Sequence, residues 1–163
     1  MPLEAYDALW CKVLPGLVDA LWGLDLVTGR MYSVGVDFVL AGPVSLYLQG
    51  HSTARDVEPL YLLLISGDPG NVRAARRAAE PLSSPAPWPL EYSAVARGRV
   101  VSVEIRGGLR IAVAADPVVR AGGREERLVV SEIARGAPVA IVDGKPVRLA
   151  PIGVELALRG ETL

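Results

Sequence analysis

From Leu3 to Leu26 the apolar residues Leu9, Val13, Leu17, Leu21 and Leu24 recur at spacings of three and four, the period of a helix. Pro15 falls inside that pattern and predicts a split into two helices, because an interior proline loses a hydrogen bond and clashes with the preceding turn. Thr28-Gly29-Arg30 predicts the end of the helical region. Val34 to Leu40 then predicts a short buried strand, Gly42-Pro43 an abrupt turn, and Val44 to Leu48 one or two helical turns. Leu60 to Ile65 is apolar without alternation, as expected of a strand buried on both faces. Asp68-Pro69 joins an N-cap side chain to a proline at the first helical position, predicting an Arg/Ala-rich helix through Ala79 that Pro81 stops.

The second half changes period. Val100 to Ile105 and Leu109 to Ala115 flank Arg106-Gly107-Gly108, and Val139 to Val142 faces Val147 to Leu149 across Asp143-Gly144, so both pairs predict hairpins. Ala121 to Arg127 is rich in glycine and charge and reads as a mobile surface loop. A last helix is expected from Pro151 through Leu158. Together these elements predict an α/β (α+β) fold: a mixed, largely antiparallel sheet with flanking helices, the helices on one side, in a single domain over residues 1–163.

Composition narrows the setting. Hydrophobic residues make up 51% of the chain, yet no apolar run reaches the ~20 residues that span a bilayer, so buried strands are expected and no membrane association. Glu4 and Asp7 stand where a secretory signal would be basic, which points to a cytoplasmic protein. The lone Cys11 sits among apolar neighbours as a small hydrophobe. A net charge of -1 gives no pull towards nucleic acid, and the helical arginines Arg73, Arg76 and Arg77 read as a solvated face. The basic residues are nearly all arginine, and the amides are limited to Gln49 and Asn71, a composition that suits a thermophile.

Chemistry concentrates in one stretch, Phe38-Val39-Leu40-Ala41-Gly42-Pro43-Val44-Ser45-Leu46-Tyr47-Leu48-Gln49-Gly50-His51, followed by Ser52-Thr53-Ala54-Arg55-Asp56-Val57-Glu58. Side chains two apart on a strand share a face, so Asp56 and Glu58 present paired carboxylates that invite a divalent cation. A glycine turn before a short helix exposes N–H groups to anions, with Ser45 adding a hydroxyl. Solvated strand ends and ion pairs are the plainer reading of Asp56, Glu58 and Arg55, and loop packing that of His51, the chain's one histidine.

The stretch resembles the polymerase-beta-like nucleotidyltransferase superfamily, especially its small prokaryotic, toxin-antitoxin-related members. There a strand leads to Gly-Gly or Gly-Ser, then a short helix, a polar loop and a strand bearing Asp-x-Asp. The resemblance implies a nucleotidyltransferase-like core in which Asp56 and Glu58 hold Mg²⁺, Glu104 on a later strand assists a hydroxyl acceptor, and Gly42, Ser45 and Arg55 receive the phosphates of a nucleoside triphosphate. Val147 to Pro151 and Glu155 to Arg159 resemble the family's closing strand and helix, with arginine in the place of lysine. This chain departs from the pattern at Glu58, where aspartate is usual, at Pro43, which offers no N–H, at Pro59, and in the order Thr53-Ala54-Arg55. Those departures leave a second expectation beside the enzyme: a catalytically inactive relative serving as an interaction or regulatory module, with a protein partner or as a homodimer, for which the proline-flanked Trp88 is a candidate contact.

Overall fold

The computed structural model describes residues 15–51, 60–82, 101–105 and 109–159. Helix α1, Pro15–Val34, begins at the proline expected to interrupt it; the residues before it, Cys11 included, lie outside the described part. It does not end at Thr28-Gly29-Arg30. Thr28 turns its hydroxyl back onto the Leu24 carbonyl at 2.7 Å, satisfying a buried polar group without leaving the helix. The stop is Gly35, at a φ of 84°, where the N–H groups of Gly35 and Val36 both return to the Met31 carbonyl at 3.1 and 3.0 Å. The strand expected from Val34 is therefore shorter: β1 is Phe38–Ala41.

Helix α2, Pro43–Leu48, follows, then β2, Leu60–Ile65, and helix α3, Pro69–Ala79. The predicted cap of α3 is present, with the Asp68 carboxylate accepting from the Asn71 N–H at 3.3 Å. A single 3₁₀ turn, Glu80–Leu82, carries Pro81 past its end. The loop with Trp88 lies outside the described residues. Strands β3, Val101–Ile105, and β4, Leu109–Ala115, form the first expected hairpin, with Val103 opposite Ile111. Strands β7, Val139–Val142, and β8, Lys145–Arg148, form the second, turning through Asp143 and Gly144 at φ of 49° and 74°.

Between the hairpins the expectation of a mobile loop is corrected. Val118–Ala121 (β5) and Arg124–Arg127 (β6) pair antiparallel around Gly122-Gly123. All four β6 side chains are exposed, so the strand carries no apolar alternation to announce it. A short helix, Val130–Arg135 (α4), follows, and Ile152–Leu158 (α5) is the last. The main sheet has the order β1-β2-β4-β3, with β1 antiparallel to β2, β2 parallel to β4, and β4 antiparallel to β3. The mixed, largely antiparallel α+β architecture is thus as expected.

The placement of the helices is not. On one face of the sheet Leu40, Tyr61, Leu63, Ile65, Ile111 and Val113 pack against Leu24, Val27 and Met31 of α1 and Val72, Ala75 and Ala78 of α3. On the other, Val39, Ala41, Leu64 and Ala114 meet Val130 and Ile133 of α4 and Val154 and Leu158 of α5. The helices cover both faces. This explains the unalternating run of β2, in which successive side chains point to opposite cores, each fully buried aliphatic one contributing about 1.5–3 kcal/mol. Among the described residues no helix is long and apolar enough to cross a membrane.

Candidate functional site

At the end of β1 the chain turns at Gly42, whose φ of 84° and ψ of -162° lie in a region essentially reserved for glycine. Pro43 then fixes the first position of α2. The Gly42 N–H points at the carboxylate of Glu155, from α5, which accepts it through both oxygens at 2.9 and 3.2 Å. Glu155 is only 3% exposed, and its burial raises its pKa from the ordinary 4.5 to about 7, against the opposing pull of the Gly42 N–H and the positive charge of Arg159. Ser45 is fully buried, its hydroxyl accepting from the Gln49 amide at 3.1 Å. The same amide donates to the Ala150 carbonyl at 2.8 Å, and the Ala150 N–H donates to the Leu40 carbonyl at 2.8 Å. The glycine turn is thus clamped by the segment that leads into α5.

Gly42 follows Ala41, which pairs with Leu62 near the start of β2. Arg55, Asp56 and Glu58 lie outside the described residues, in the 52–59 segment that joins β2 at Leu60. Glu104 pairs with Arg110, and Arg110 with Leu60, so the three occupy one row across β3, β4 and β2. That puts the Glu104 backbone two strand spacings, roughly 10 Å, from Leu60. Register therefore brings Glu104, Leu60 and the Gly42 turn to one end of the sheet. In this conformation Ser45 does not face solvent, and the Gly42 N–H is already donated. Among the described residues no group of three or more His, Cys, Asp or Glu side chains is placed to hold a metal.

The opposite end is tied together by two polar side chains that sequence reasoning did not single out. Buried Asn71 accepts the Asp37 N–H at 2.8 Å and donates to the carbonyls of Asp37 and Ser66 at 3.0 and 2.9 Å. Asp116, at a φ of 40°, accepts the Gly67 N–H on one carboxylate oxygen and the Val130 N–H on the other, each at 3.0 Å. A signal for the first was present. In a chain that holds one asparagine and one glutamine, both amides make bonds that cross between elements.

Comparison of the chain with protein-family models, with curated proteins and with solved structures finds no match.

Proposed function

We propose that the chain is a divergent nucleotidyltransferase-like protein that binds a nucleoside triphosphate with Mg²⁺ at the end of the sheet where β1 stops and β2 starts. The observation that supports this is the unit of strand, glycine turn, short helix and antiparallel strand, Phe38 to Ile65, with Gly42 in a conformation that only glycine adopts readily. In this reading Asp56 and Glu58 hold the cation, which offsets phosphate charge. Gly42, Ser45 and Arg55 face the phosphates. Glu104, in the row of Leu60 and Arg110, orients a hydroxyl acceptor for transfer of a nucleoside monophosphate. Because Glu155 holds the Gly42 N–H and Ser45 is buried with its hydroxyl bonded to Gln49, phosphate contact at this turn requires the Glu155 bond to open and the Ser45 hydroxyl to be uncovered.

That same bond favours a second reading. A carboxylate of the chain's own at the glycine turn is what a non-catalytic relative would carry, with the fold kept as a regulatory or interaction module in the cytoplasm. Exposed Tyr32, Val139 and Ile141 would then offer apolar surface to a protein partner or a second copy.

A thermal-shift titration with ATP, GTP, CTP and UTP, each with and without Mg²⁺, tests the first reading. Ligand at a hundred times its dissociation constant adds about 2.7 kcal/mol, a clear shift. A Mg²⁺-dependent shift lost in Asp56→Asn supports nucleotide binding; no shift with any nucleotide sinks it and leaves the module.

A further inference from the structure

At the end of the sheet away from Gly42, the parallel strands β2 and β4 both finish, at Ile65 and Ala115, and β1 begins. Crevices outside the carboxyl ends of parallel strands are where open α/β sheets collect ligands, since the chain leaves the sheet there and its loops diverge. Here the crevice is a cleft of about 210 Å³, walled by Asp37 and Phe38 from the start of β1, Ser66 from the end of β2, Ser131 and Arg135 from α4, and Arg148 from β8. A second hollow of about 280 Å³ adjoins it, sharing Asp37, Phe38 and Arg148 and adding Tyr32, Val139 and Pro146.

We infer that this double cleft binds a small organic phosphate: a phosphate group between Arg135 and Arg148, carried on an aromatic body that lies in the hollow with Phe38 and Tyr32. Three observations converge. Neither guanidinium has an ion-pair or hydrogen-bond partner among the described residues, although both line one cavity. Two guanidiniums with the hydroxyls of Ser66 and Ser131 form a donor-rich wall whose planar forks suit the tetrahedral oxygens of phosphate. The adjoining hollow is aromatic and apolar, with Tyr32 and Val139 more than half exposed. Asp37, on the rim common to both, is an acceptor for a hydroxyl of the ligand body. The backbone of the walls is held in advance of any ligand. Asn71 ties Asp37 to Ser66, and Asp116 ties the β2–α3 turn to the start of α4, so the ordering left for binding is that of the exposed Arg135 and Arg148 side chains.

The site is at the other end of the sheet from the proposed Mg²⁺–nucleotide site, and its binding does not depend on that reading. Calorimetric titrations of the full chain with phenyl phosphate, adenosine monophosphate, inorganic phosphate and benzoate, without added metal, test it. Saturable binding of the two organic phosphates is expected, at least tenfold tighter than inorganic phosphate or benzoate. Arg135→Gln and Arg148→Gln, both surface changes, should each weaken it at least tenfold with an unchanged melting temperature, and Asp56→Asn should leave it intact. Absence of saturable binding, or equal affinity in the two arginine variants and the parent, overturns the assignment. Benzoate binding as well as phenyl phosphate overturns the phosphate as the recognised group.

Discussion

The Glu155 carboxylate accepts the Gly42 N–H through both oxygens, at 2.9 and 3.2 Å, across a separation of 113 residues in the chain. One side chain of the last helix thereby closes the turn at the heart of the sequence motif. It does so as a group that burial pushes to a pKa of about 7, so its charge state changes near neutrality.

The pH dependence of stability follows from that shift. The folded state holds the Glu155 proton more tightly than the unfolded state, whose pKa is near 4.5. This contribution is therefore fully present below about pH 4.5, declines as pH rises towards 7 and is lost above it, with an upper size of about 3 kcal/mol. Glu155→Gln keeps an acceptor for Gly42 and removes the titration. Denaturant unfolding between pH 4.5 and 8 should show the parent losing stability relative to the variant as pH rises; parallel pH profiles would contradict the burial argument.

Gly42→Ala should destabilise the fold by about 1–3 kcal/mol, the cost of a side chain in a glycine-only region. An added Cβ would also approach the Leu62 Cβ to 3.3 Å, tighter than an ordinary contact. Chemical denaturation measures this. A neutral substitution would show that the turn is not held at its positive φ.

Asn71→Ala removes three bonds at the far end of the sheet and leaves the Asp37 N–H without its acceptor. The expected loss is roughly 2–4 kcal/mol, the upper part coming from desolvated groups left unpaired. Asn71→Asp retains the acceptor but sets a buried carboxylate oxygen against the Asp37 and Ser66 carbonyls, and at neutral pH should be no more stable than the alanine variant. A loss below about 1 kcal/mol would mean that water replaces the amide.

At Gly67 an added Cβ would come within 2.7 Å of the Asp116 carboxylate oxygen that accepts the Gly67 N–H. Gly67→Ala should displace that carboxylate and release the Val130 N–H from its other oxygen. Hydrogen exchange at Val130 is predicted to accelerate in this variant while exchange at Leu63, in the core of β2, stays slow. Unchanged protection at Val130 would show that Asp116 does not couple the two loops.

Much of this fold was written locally in the chain. The Asp68-Pro69 start, the Asp143-Gly144 turn and the apolar run of β2 each state their structure within a few residues. What escaped the sequence depends on distant partners. Thr28 belongs to a helix because Leu24 supplies an acceptor and Gly35, not Gly29, supplies the cap. Helix α4 has six residues and no cap from its own N-cap residue, its first N–H being held by the distant Asp116, which is too little for a local signal. Helices on both faces became visible only once α4 and α5 were seen to cover Val39, Leu64 and Ala114. Of the motif residues, Gly42 is at a turn, as expected, and Ser45 is buried beneath it. Glu155, which looks like an ordinary position on an amphipathic helix, could not be assigned to Gly42 from spacing, because tertiary folding alone brings them together.

The most direct test of the proposed nucleotide site is a titration of ¹⁵N-labelled protein with ATP and Mg²⁺, followed at the Gly42 amide. Nucleotide binding at this turn predicts a saturable shift at Gly42 that requires Mg²⁺ and disappears in Asp56→Asn. A Gly42 signal that stays in place, with movement at Phe38 and Ser131 alone or nowhere, would contradict nucleotide binding at this turn and leave the fold as a module closed by its own carboxylate.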